Sequence, residues 1–351
     1  MSVVIVTGCL GLVGAESSKF FLDKGFTVIG IDNDMRKIFF GHQSSGINNR
    51  NELKNYSKNF IFFNADIRSE SSIKRIFRKY GKNISLVIHA AAQPSHDWAA
   101  TNIKLDFEIN AWGTLNILNN VKEFCNDSVF IMLSTNKVYG DAPNTLRYIE
   151  QEKRFQPDFG NNPWIDDFGF TETLSIDNRV HSFFGVSKTY GDLLAQEFGK
   201  NFGLKTTIFR GGCLSGPMHN GAELHGFLSY LVKCAKYKKP YTIFGYKGKQ
   251  VRDNLHSKDL VECFWLNFLN PKSGEVYNIG GSSFSNISIL EAIEYLSLLG
   301  YPLNYKLETE NRVGDHKWWI SSVQKFIVDY PSWKPKINSF QIIDETIESL
   351  S

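Results

Sequence analysis

The sequence predicts an α/β fold, in which a doubly wound parallel sheet is followed by a smaller C-terminal α+β region. Short apolar runs with both faces hydrophobic alternate with amphipathic segments through the first 210 residues. Strands of this kind belong to parallel sheets covered by helices on both sides. Right-handed crossovers between such strands then require the doubly wound arrangement. From Gly211 onward the pattern loosens into shorter elements, which we interpret as the second region.

The predicted elements follow one another with few irregular stretches. In the first part we expect strands at 3–7, 26–31, 60–64, 86–89, 129–133 and 205–210, and helices at 15–24, 69–80, 105–124 and 182–201. Residues 35–59 are polar and predict an irregular excursion, and residues 147–173 lack any period and predict a lid or long connection. Later helices are expected at about 224–236, 257–269 and 289–299, with strands at 241–244 and 276–279.

Composition limits the classes of partner. The chain has 351 residues and a net charge of +3, which gives no electrostatic basis for binding nucleic acid or a membrane surface. Its five cysteines are scattered without a Cys-x-x-Cys pair, which predicts reduced thiols and no zinc site. No apolar stretch reaches the roughly 18 residues of a membrane helix, and the N-terminal run is cut at Gly8, unlike a signal peptide. We therefore expect a soluble, cytoplasmic protein without a bound metal.

A glycine-spaced loop joins the first strand to the first helix. Gly8, Gly11 and Gly14 form a Gly-x-x-Gly-x-x-Gly run directly after residues 3–7. This spacing supplies a tight turn, close approach of the backbone to a pyrophosphate, and close packing of the helix on the sheet. The N–H groups of Leu12 and Val13 then lie at a helix N-terminus, where anions bind. The loop predicts a dinucleotide site on a Rossmann sheet.

The second strand ends in an acidic residue that indicates which dinucleotide binds. The carboxylate of Asp32 can accept both ribose hydroxyls of an adenosine and repels a 2′-phosphate, so NAD is favoured over NADP. Arg36 is the contrary signal, because its guanidinium could meet a 2′-phosphate instead. Further cofactor contacts are expected where the neighbouring strands end, at Asn33, Asp66, Ile67, Ala90, Ala91 and Ala92.

Further stretches carry a family resemblance. They read Ser-Thr-Asn-Lys-Val-Tyr-Gly-Asp at 134–141, Phe-Gly-Val-Ser-Lys at 184–188, Gly-Lys-Gln-Val-Arg-Asp at 248–253 and Tyr-Asn-Ile-Gly-Gly at 277–281. In this order and spacing they resemble the extended short-chain dehydrogenase/reductase family, the nucleotide-sugar epimerases and dehydratases, over essentially the whole chain. With Asp-Phe-Glu-Ile-Asn at 106–110, they are most similar to the branch that inverts C2 of CDP-linked deoxyhexoses. The dehydratases carry Asp-Glu where this chain has Asn136-Lys137, so water elimination is disfavoured.

The resemblance implies an NAD-dependent epimerase and assigns roles to several residues. Inverting an unactivated carbinol carbon requires hydride removal, a base for the hydroxyl proton and a donor to the oxyanion. By the family motif, Thr135 contacts the substrate oxygen and Lys188 binds the nicotinamide ribose. Arg252 and Arg312 match positions that bind the nucleotide diphosphate, for which a forked guanidinium is suited. Gln93 is expected beside the substrate.

The main departure from the family is Phe184, which occupies the position of the catalytic tyrosine. Phenylalanine cannot exchange a proton, so either the chain binds its ligands without turnover or another group has taken over the proton. We expect His96, placed in the loop after the fourth strand, to be that base and to contact the substrate. The alternatives are Cys213, His181, Tyr139 and Lys188 itself.

The resemblance also implies two domains that bind different ligands, and a homo-oligomer. We expect a dinucleotide-binding domain at 1–210, with a return at about 251–270, and a nucleotide-sugar-binding region at 211–250 and 271–351. The partner is a nucleotide sugar, with a CDP-sugar favoured. The helices at 105–124 and 184–201 resemble those that pair between subunits in the family, which predicts a homodimer or homotetramer. Inversion at C4 and one-way oxidoreduction remain alternatives.

Overall fold

The computed structural model describes residues 2–350 apart from Asn161, Asn220, Leu224 and Val313. It divides into two compact units, each built from several stretches of the chain. The first unit comprises Met1–Thr135, Val186–Arg210 and Val261–Tyr277, and the second comprises Asn136–Gly185, Gly211–Leu260 and Asn278–Ser351. Residues 136–185 thus group with the later part of the chain. The functions assigned above to the domains stay predictions.

The strands and helices have the following bounds. The strands are β1 Val3–Thr7, β2 Thr27–Asp32, β3 Phe60–Asn64, β4 Ile84–His89, β5 Val129–Thr135, β6 Tyr148–Glu150, β7 Phe155–Pro157, β8 Ile165–Asp166, β9 Gly169–Phe170, β10 Lys205–Gly211, β11 Cys213–Ser215, β12 Tyr241–Phe244, β13 Val251–His256, β14 Glu275–Ile279, β15 Asn286–Ser288, β16 Tyr305–Glu308 and β17 Trp318–Trp319. The helices are α1 Leu12–Asp23, α2 Arg36–Phe40, α3 Ile47–Tyr56, α4 Glu70–Tyr80, α5 His96–Thr101, α6 Ile103–Phe107, α7 Gly113–Phe124, α8 Phe183–Phe202, α9 Phe227–Lys236, α10 Ser257–Leu269, α11 Ile289–Leu298, α12 Gln324–Asp329 and α13 Ser339–Ser349.

The first unit is built on a seven-stranded sheet in the order β14-β10-β5-β4-β1-β2-β3. The chain runs outward from β1 to β3, returns to β4 beside β1, and continues on the other side. Neighbouring strands from β1 to β5 pair in parallel. The ends of β1 and β4 therefore adjoin where the strand order reverses, which is where such sheets bind ligands. The predicted doubly wound Rossmann fold is confirmed.

The core of the first unit explains why the apolar runs form strands. All five residues of β1 are buried, so both faces of this strand are covered. Ile, Val and Phe side chains from the strands pack with those of α4 and α7, among them Ile5, Ile29, Ile73, Phe77, Val87, Ile117, Phe130 and Ile208. Packing on both faces fixes the sheet and holds its strand ends in place.

The prediction of an irregular excursion at 35–59 is wrong, because α2 and α3 occupy most of it. Leu53 is the buried residue of α3, whose other positions are largely polar and partly exposed, so no apolar stripe marked the helix. The carboxylate of Asp34 holds the start of α3 in place by accepting the Ser45 hydroxyl (2.7 Å) and the Gly46 N–H (2.8 Å). Hydrogen bonds between Asp34 and residues 11 and 12 positions later therefore help to start this helix. A pattern of apolar and polar residues does not reveal such bonds.

The helix predicted at 105–124 is present but is not regular. α6 and α7 are joined by a π-helical turn at Glu108–Trp112. Asn110 is buried in this turn, and the carbonyl of Asn110 accepts the Thr114 hydroxyl at 2.6 Å. Turns of this type occur often at functional sites.

The second unit contains a mixed sheet around β13. This strand pairs in parallel with β11 and β17 and antiparallel with β15. Apolar residues of α9, α11 and α13 form a separate core next to β12 and β15. Residues 147–173, predicted as a lid or long connection, contain two short antiparallel pairs, β6 with β7 and β8 with β9. Strands of two or three residues are too short to show alternation in a sequence, so the sequence did not predict them.

Membrane-spanning helices and groups of metal ligands are both absent from the residues that the structure describes. Within residues 2–350 and the gaps noted above, no helix is long and apolar enough to cross a membrane. The same residues contain no group of three or more His, Cys, Asp or Glu side chains that could hold a metal ion.

Candidate cofactor and catalytic site

The glycine loop has the geometry its spacing predicts. Gly8 has a φ of +70°, and a Cβ there would lie 2.7 Å from the Ala91 nitrogen. A Cβ on Gly14 would collide with the carbonyl oxygen of Gly8, whereas one on Gly11 would meet the same oxygen at an ordinary 3.5 Å. Gly8 and Gly14 are therefore needed for the turn and for the close packing of α1. Gly11 leaves the backbone open to a ligand.

The N-terminus of α1 is suited to a pyrophosphate. Its N-cap residue is Gly11, which has no capping side chain, and the first turn contains no acidic residue. The N–H groups of Leu12, Val13 and Gly14 lie in this turn, where helix N–H groups lack carbonyl partners within the helix. Because no side chain of the turn neutralises the positive helix end, the loop fits an anionic group.

Asp32 is anchored at the end of β2 beside this loop. One carboxylate oxygen accepts the Leu10 N–H at 3.0 Å and the other accepts the Asp34 N–H at 2.8 Å. Burial raises the pKa of Asp32, although these N–H donors oppose the rise. Arg36 packs on the ring of Phe40, 5.0 Å from its centroid, and burial lowers the pKa of Arg36 to about 10. Asp32 is thus fixed where the ribose of an NAD adenosine is expected.

The ends of β3 and β4 supply the remaining predicted cofactor residues. Asp66 accepts Asn33 Nδ2 at 3.0 Å and pairs with Arg68 at 2.7 Å. Burial acts against the charge of Asp66, but the Arg68 contacts outweigh it and lower the pKa of the carboxyl. Ile67 is buried, and its carbonyl accepts Asn116 Nδ2 at 2.7 Å. The half-buried segment after β4 contains Ala90, Ala91 and Ala92.

Gln93 is part of a buried polar network in the first unit. Its Nε2 donates to Asp106 Oδ1 at 2.9 Å and to the Ser95 carbonyl at 2.8 Å, and its Oε1 accepts the Ser95 N–H. Asn110 Oδ1 accepts the Gln93 N–H at 2.9 Å, and Asn110 Nδ2 donates to Ser187 Oγ at 3.1 Å. The Gln93 amide is thus occupied by protein partners, and its contact with substrate stays a prediction.

Lys188 bonds the backbone of β5 two residues before Thr135. The ammonium of Lys188 donates to the Leu133 carbonyl at 2.8 Å, two residues before Thr135 closes the strand. Burial lowers the pKa of Lys188 to about 8, while the carboxylates of Asp192 and Asp106 oppose the fall. Thr135 is half-buried and is the last residue of β5, two residues beyond the predicted end of this strand.

Sequence reasoning missed two buried groups near Lys188. Asp192 pairs with Arg210 through Nε (2.9 Å) and Nη2 (2.8 Å) and accepts the Ser134 hydroxyl at 2.6 Å. His89 bonds the hydroxyls of Thr7 (2.8 Å) and Thr114 (3.0 Å). Burial lowers the pKa of His89 to about 3, so its ring is neutral at physiological pH. A polar residue ending an apolar strand was the available signal for His89.

His96 and Phe184 lie at helix starts. His96 is the first residue of α5, capped by Ser95, and is half-buried; its placement in a loop is corrected. The helix went unpredicted because it is six residues long. Phe184 is the second residue of α8 and is buried, so its ring packs in the interior of the protein.

The alternative bases Tyr139, Cys213 and His181 lie in different surroundings. The Tyr139 hydroxyl is buried and donates to Asn278 Oδ1 at 2.8 Å. Burial raises the pKa of the Cys213 thiol to about 12. His181 Nε2 bonds the Ile176 carbonyl at 2.9 Å. The hydrogen bond of the Tyr139 hydroxyl and the raised pKa of the Cys213 thiol make proton exchange with a ligand unfavourable for these two residues.

The second unit contains a charged cluster around Arg252. The Arg252 guanidinium bonds Asp315 and the Val251 carbonyl. Burial disfavours the charge of Asp315, but the charges of Arg252 and Lys137 outweigh burial and hold the pKa of this carboxyl well below its usual range. Lys137 Nζ donates to the Gly314 carbonyl at 2.9 Å. The Arg312 guanidinium lies 6.0 Å from the centroid of the Phe244 ring. The cluster has more cations than anions, which suits an anionic ligand.

Comparison with known proteins places these features in a family. The model of the NAD-dependent epimerase/dehydratase family matches residues 4–280. CDP-paratose 2-epimerase of Salmonella typhi is 30% identical, over 96% of this chain and 95% of that protein. UDP-glucuronate 4-epimerase of Thermodesulfobacterium geofontis (strain OPF15) is 27% identical, over 99% of this chain and 95% of that protein.

A solved structure shows the same fold. UDP-glucose 4-epimerase of Thermus thermophilus, in complex with NAD, superimposes with a TM-score of 0.77 at 22% identity, covering 99% of this chain and 98% of that one. The family match spans the glycine loop and the motif residues of α8. The chain therefore belongs to the NAD-dependent epimerase/dehydratase family, as a nucleotide-sugar epimerase whose cofactor is NAD.

Proposed function

We propose that the protein inverts C2 of a CDP-linked deoxyhexose. The observation that carries this proposal is the set of runs at 106–110, 134–141 and 248–253, together with 30% identity to a CDP-paratose 2-epimerase over nearly the whole chain. The presence of Asn136-Lys137 in place of an acidic pair disfavours dehydration.

The first unit holds the cofactor. Bound NAD supplies a hydride acceptor, which allows an unactivated carbinol carbon to be inverted. The pyrophosphate binds Gly8, Gly11, Leu12, Val13 and Gly14, and the adenosine binds near Asp32, Asn33, Arg36, Asp66, Ile67 and Ala90 to Ala92. The uncapped start of α1 supports this assignment.

Three side chains take part in the reaction of the sugar. Lys188 binds the nicotinamide ribose and provides positive charge, and Thr135 donates to the oxygen on C2. His96 takes the hydroxyl proton when the C2 alcohol becomes a ketone and returns it when the ketone becomes an alcohol of inverted configuration. Phe184, at the position of the family tyrosine, exchanges no proton.

The nucleotide and the sugar also need anchors. Arg252 and Arg312 bind the diphosphate. The ion pair with Asp315 fixes the orientation of the Arg252 guanidinium. Gln93 lies next to the substrate.

The protein works in the cytoplasm as a homodimer or homotetramer. Apolar side chains stand exposed on α8 and on the helical segment 103–112, namely Ile103, Phe107, Trp112, Val186, Tyr190 and Leu193. The rings of Phe107 and Tyr190 are in contact, with centroids 5.9 Å apart. Pairing these two helical segments with the same segments of a second copy would bury this surface.

The test is to offer CDP-linked and UDP-linked hexoses to the purified holoenzyme and to follow the products by NMR. We expect inversion at C2 of the CDP-linked deoxyhexose with no net NADH release. Inversion at C4 would indicate a 4-epimerase, and accumulation of NADH an oxidoreductase. Bound NAD with no product from any sugar would favour a binding protein without turnover, the alternative raised by Phe184.

A further inference from the structure

Two carboxylates, Asp192 and Asp106, stabilise the charge of the buried Lys188 ammonium, and they differ in which groups bond them. Asp192 forms a two-pronged pair with the Arg210 guanidinium, through bonds of 2.8 and 2.9 Å. The Asp192 side chain is fully buried in this pair. Its negative charge is therefore already balanced by a cation of its own.

Asp106 is bonded by neutral groups instead. Asp106 is 1% exposed, and its Oδ1 accepts Gln93 Nε2 at 2.9 Å and Asn110 Nδ2 at 3.0 Å. The hydroxyl of Ser187, the residue preceding Lys188, also bonds the carboxylate. No cation is among these hydrogen-bond partners. Burial therefore raises the pKa of the Asp106 carboxyl, while these hydrogen bonds and the charge of Lys188 oppose the rise.

The network that holds Asp106 also fixes its position relative to Lys188. Asp106 lies on α6, Asn110 on the π-helical turn that follows, and Ser187 on α8. Asn110 Nδ2 bonds both Asp106 Oδ1 (3.0 Å) and Ser187 Oγ (3.1 Å), so it ties the two helices together. The carboxylate is thereby held beside the first turns of α8.

We propose that Asp106 is a positioning residue that acts through Lys188, as the counter-ion that keeps its ammonium charged and directed to the cofactor. This inference rests on the proposed function in so far as Lys188 binds the nicotinamide ribose. It also gives a role to the Gln93 and Asn110 amides, which hold the carboxylate without neutralising it. Asp106 itself touches no reacting atom.

The charges around Lys188 support this role. Burial lowers the pKa of Lys188 to about 8, and Asp192 and Asp106 counteract that fall. Arg210 offsets Asp192, and His89 is neutral because burial lowers its pKa to about 3. Removing the Asp106 charge must therefore lower the pKa of Lys188, so the ammonium would be lost at a lower pH.

The experiment compares Asp106→Asn with Ser187→Ala in the NAD-loaded protein. Each change removes a hydrogen bond from the network, but only Asp106→Asn removes a charge. The titration of Lys188 is followed by NMR of protein labelled at the lysine ε-carbons, with Lys188→Arg to assign the signal. We expect the midpoint to fall by about one pH unit in Asp106→Asn and to stay near the wild-type value in Ser187→Ala.

The same shift should appear in activity. The fall in kcat at alkaline pH should move to lower pH by the same amount in Asp106→Asn. A folded Asp106→Asn protein with an unchanged Lys188 midpoint would overturn the proposal; Asp106→Ser removes the same charge and replaces this variant if it does not fold. A shifted midpoint in a protein that inverts no CDP-sugar would reject the proposed function and keep this inference.

Discussion

At the scale of single residues, Phe184 and Lys188 raise the question of which group exchanges the substrate proton. They lie one helical turn apart on α8, and only Lys188 carries a group that can hold or move a proton. Its pKa of about 8 means that the ammonium predominates below that pH and is lost above it. A tyrosine hydroxyl at position 184 is absent, so either another side chain takes the substrate proton or the chain binds its ligands without turnover.

Changing residues 96 and 184 tests where that proton goes. We expect His96→Asn to lower kcat by a factor of about 10² to 10⁴, the usual contribution of a general base. Phe184→Tyr should change kcat by less than about tenfold, because a relocated base already performs the transfer. Steady-state kinetics of both variants, with NAD content as a control, measure the effects.

The outcomes separate two explanations of Phe184. Unchanged turnover in His96→Asn would exclude His96 as the base. A large gain in Phe184→Tyr would mean that the proton function is missing from this chain and has not been relocated.

The glycine loop allows a matched pair of substitutions. A Cβ on Gly14 would meet backbone atoms of Gly8 and Cys9, whereas a Cβ on Gly11 has room. Gly14→Ala should therefore lower the free energy of unfolding of the NAD-free protein by about 1–3 kcal/mol, the cost of overpacking. Gly11→Ala should lower it by less, and urea denaturation measures both. Equal losses in the two variants would contradict the packing role given to Gly14.

At the scale of elements, the sequence was informative where packing and pattern agree. β1 was predicted at its observed bounds because both faces of the strand are apolar, and α10 because its apolar positions recur at helical spacing. α3 was missed because backbone and side-chain contacts with Asp34 start it, and few of its residues are buried. The strand pairs β6–β7 and β8–β9 are too short to leave a pattern.

The exposed apolar face of α8 and segment 103–112 predicts a subunit interface. Phe107→Lys with Tyr190→Lys would place charges in a buried apolar surface, so we expect dissociation to monomers. Light scattering during size exclusion measures the mass, and Val328→Lys, at an exposed apolar position on α12, is the control. An unchanged mass in the double variant would show that subunits associate through another face.

At the scale of the whole molecule, strand ends were easier to predict than buried networks. Asp32 and Thr135 each end a strand of the central sheet, one and two residues beyond the predicted strand ends at 31 and 133. The roles of Asp106, His89 and Asp192 could not be read from the sequence, because their partners lie on other elements. Motifs place residues along one chain, whereas such networks depend on which elements pack together.

The two units also show how far domain boundaries can be inferred. Residues 136–185 follow β5 directly in the chain, yet they group with residues 211–260 and 278–351. Contacts such as Lys137 with Gly314 and Tyr139 with Asn278 link positions far apart in the chain. Long-range contacts of this kind leave no signal in local periodicity.

The most direct test of the central claim is the fate of deuterium placed at C2 of the CDP-linked deoxyhexose. Removal and return of hydride by bound NAD predicts a product inverted at C2 that keeps its deuterium in ordinary water. NMR or mass spectrometry of the isolated product measures the retained label. Loss of the deuterium to solvent, or inversion at another carbon with the C2 label untouched, would contradict the account.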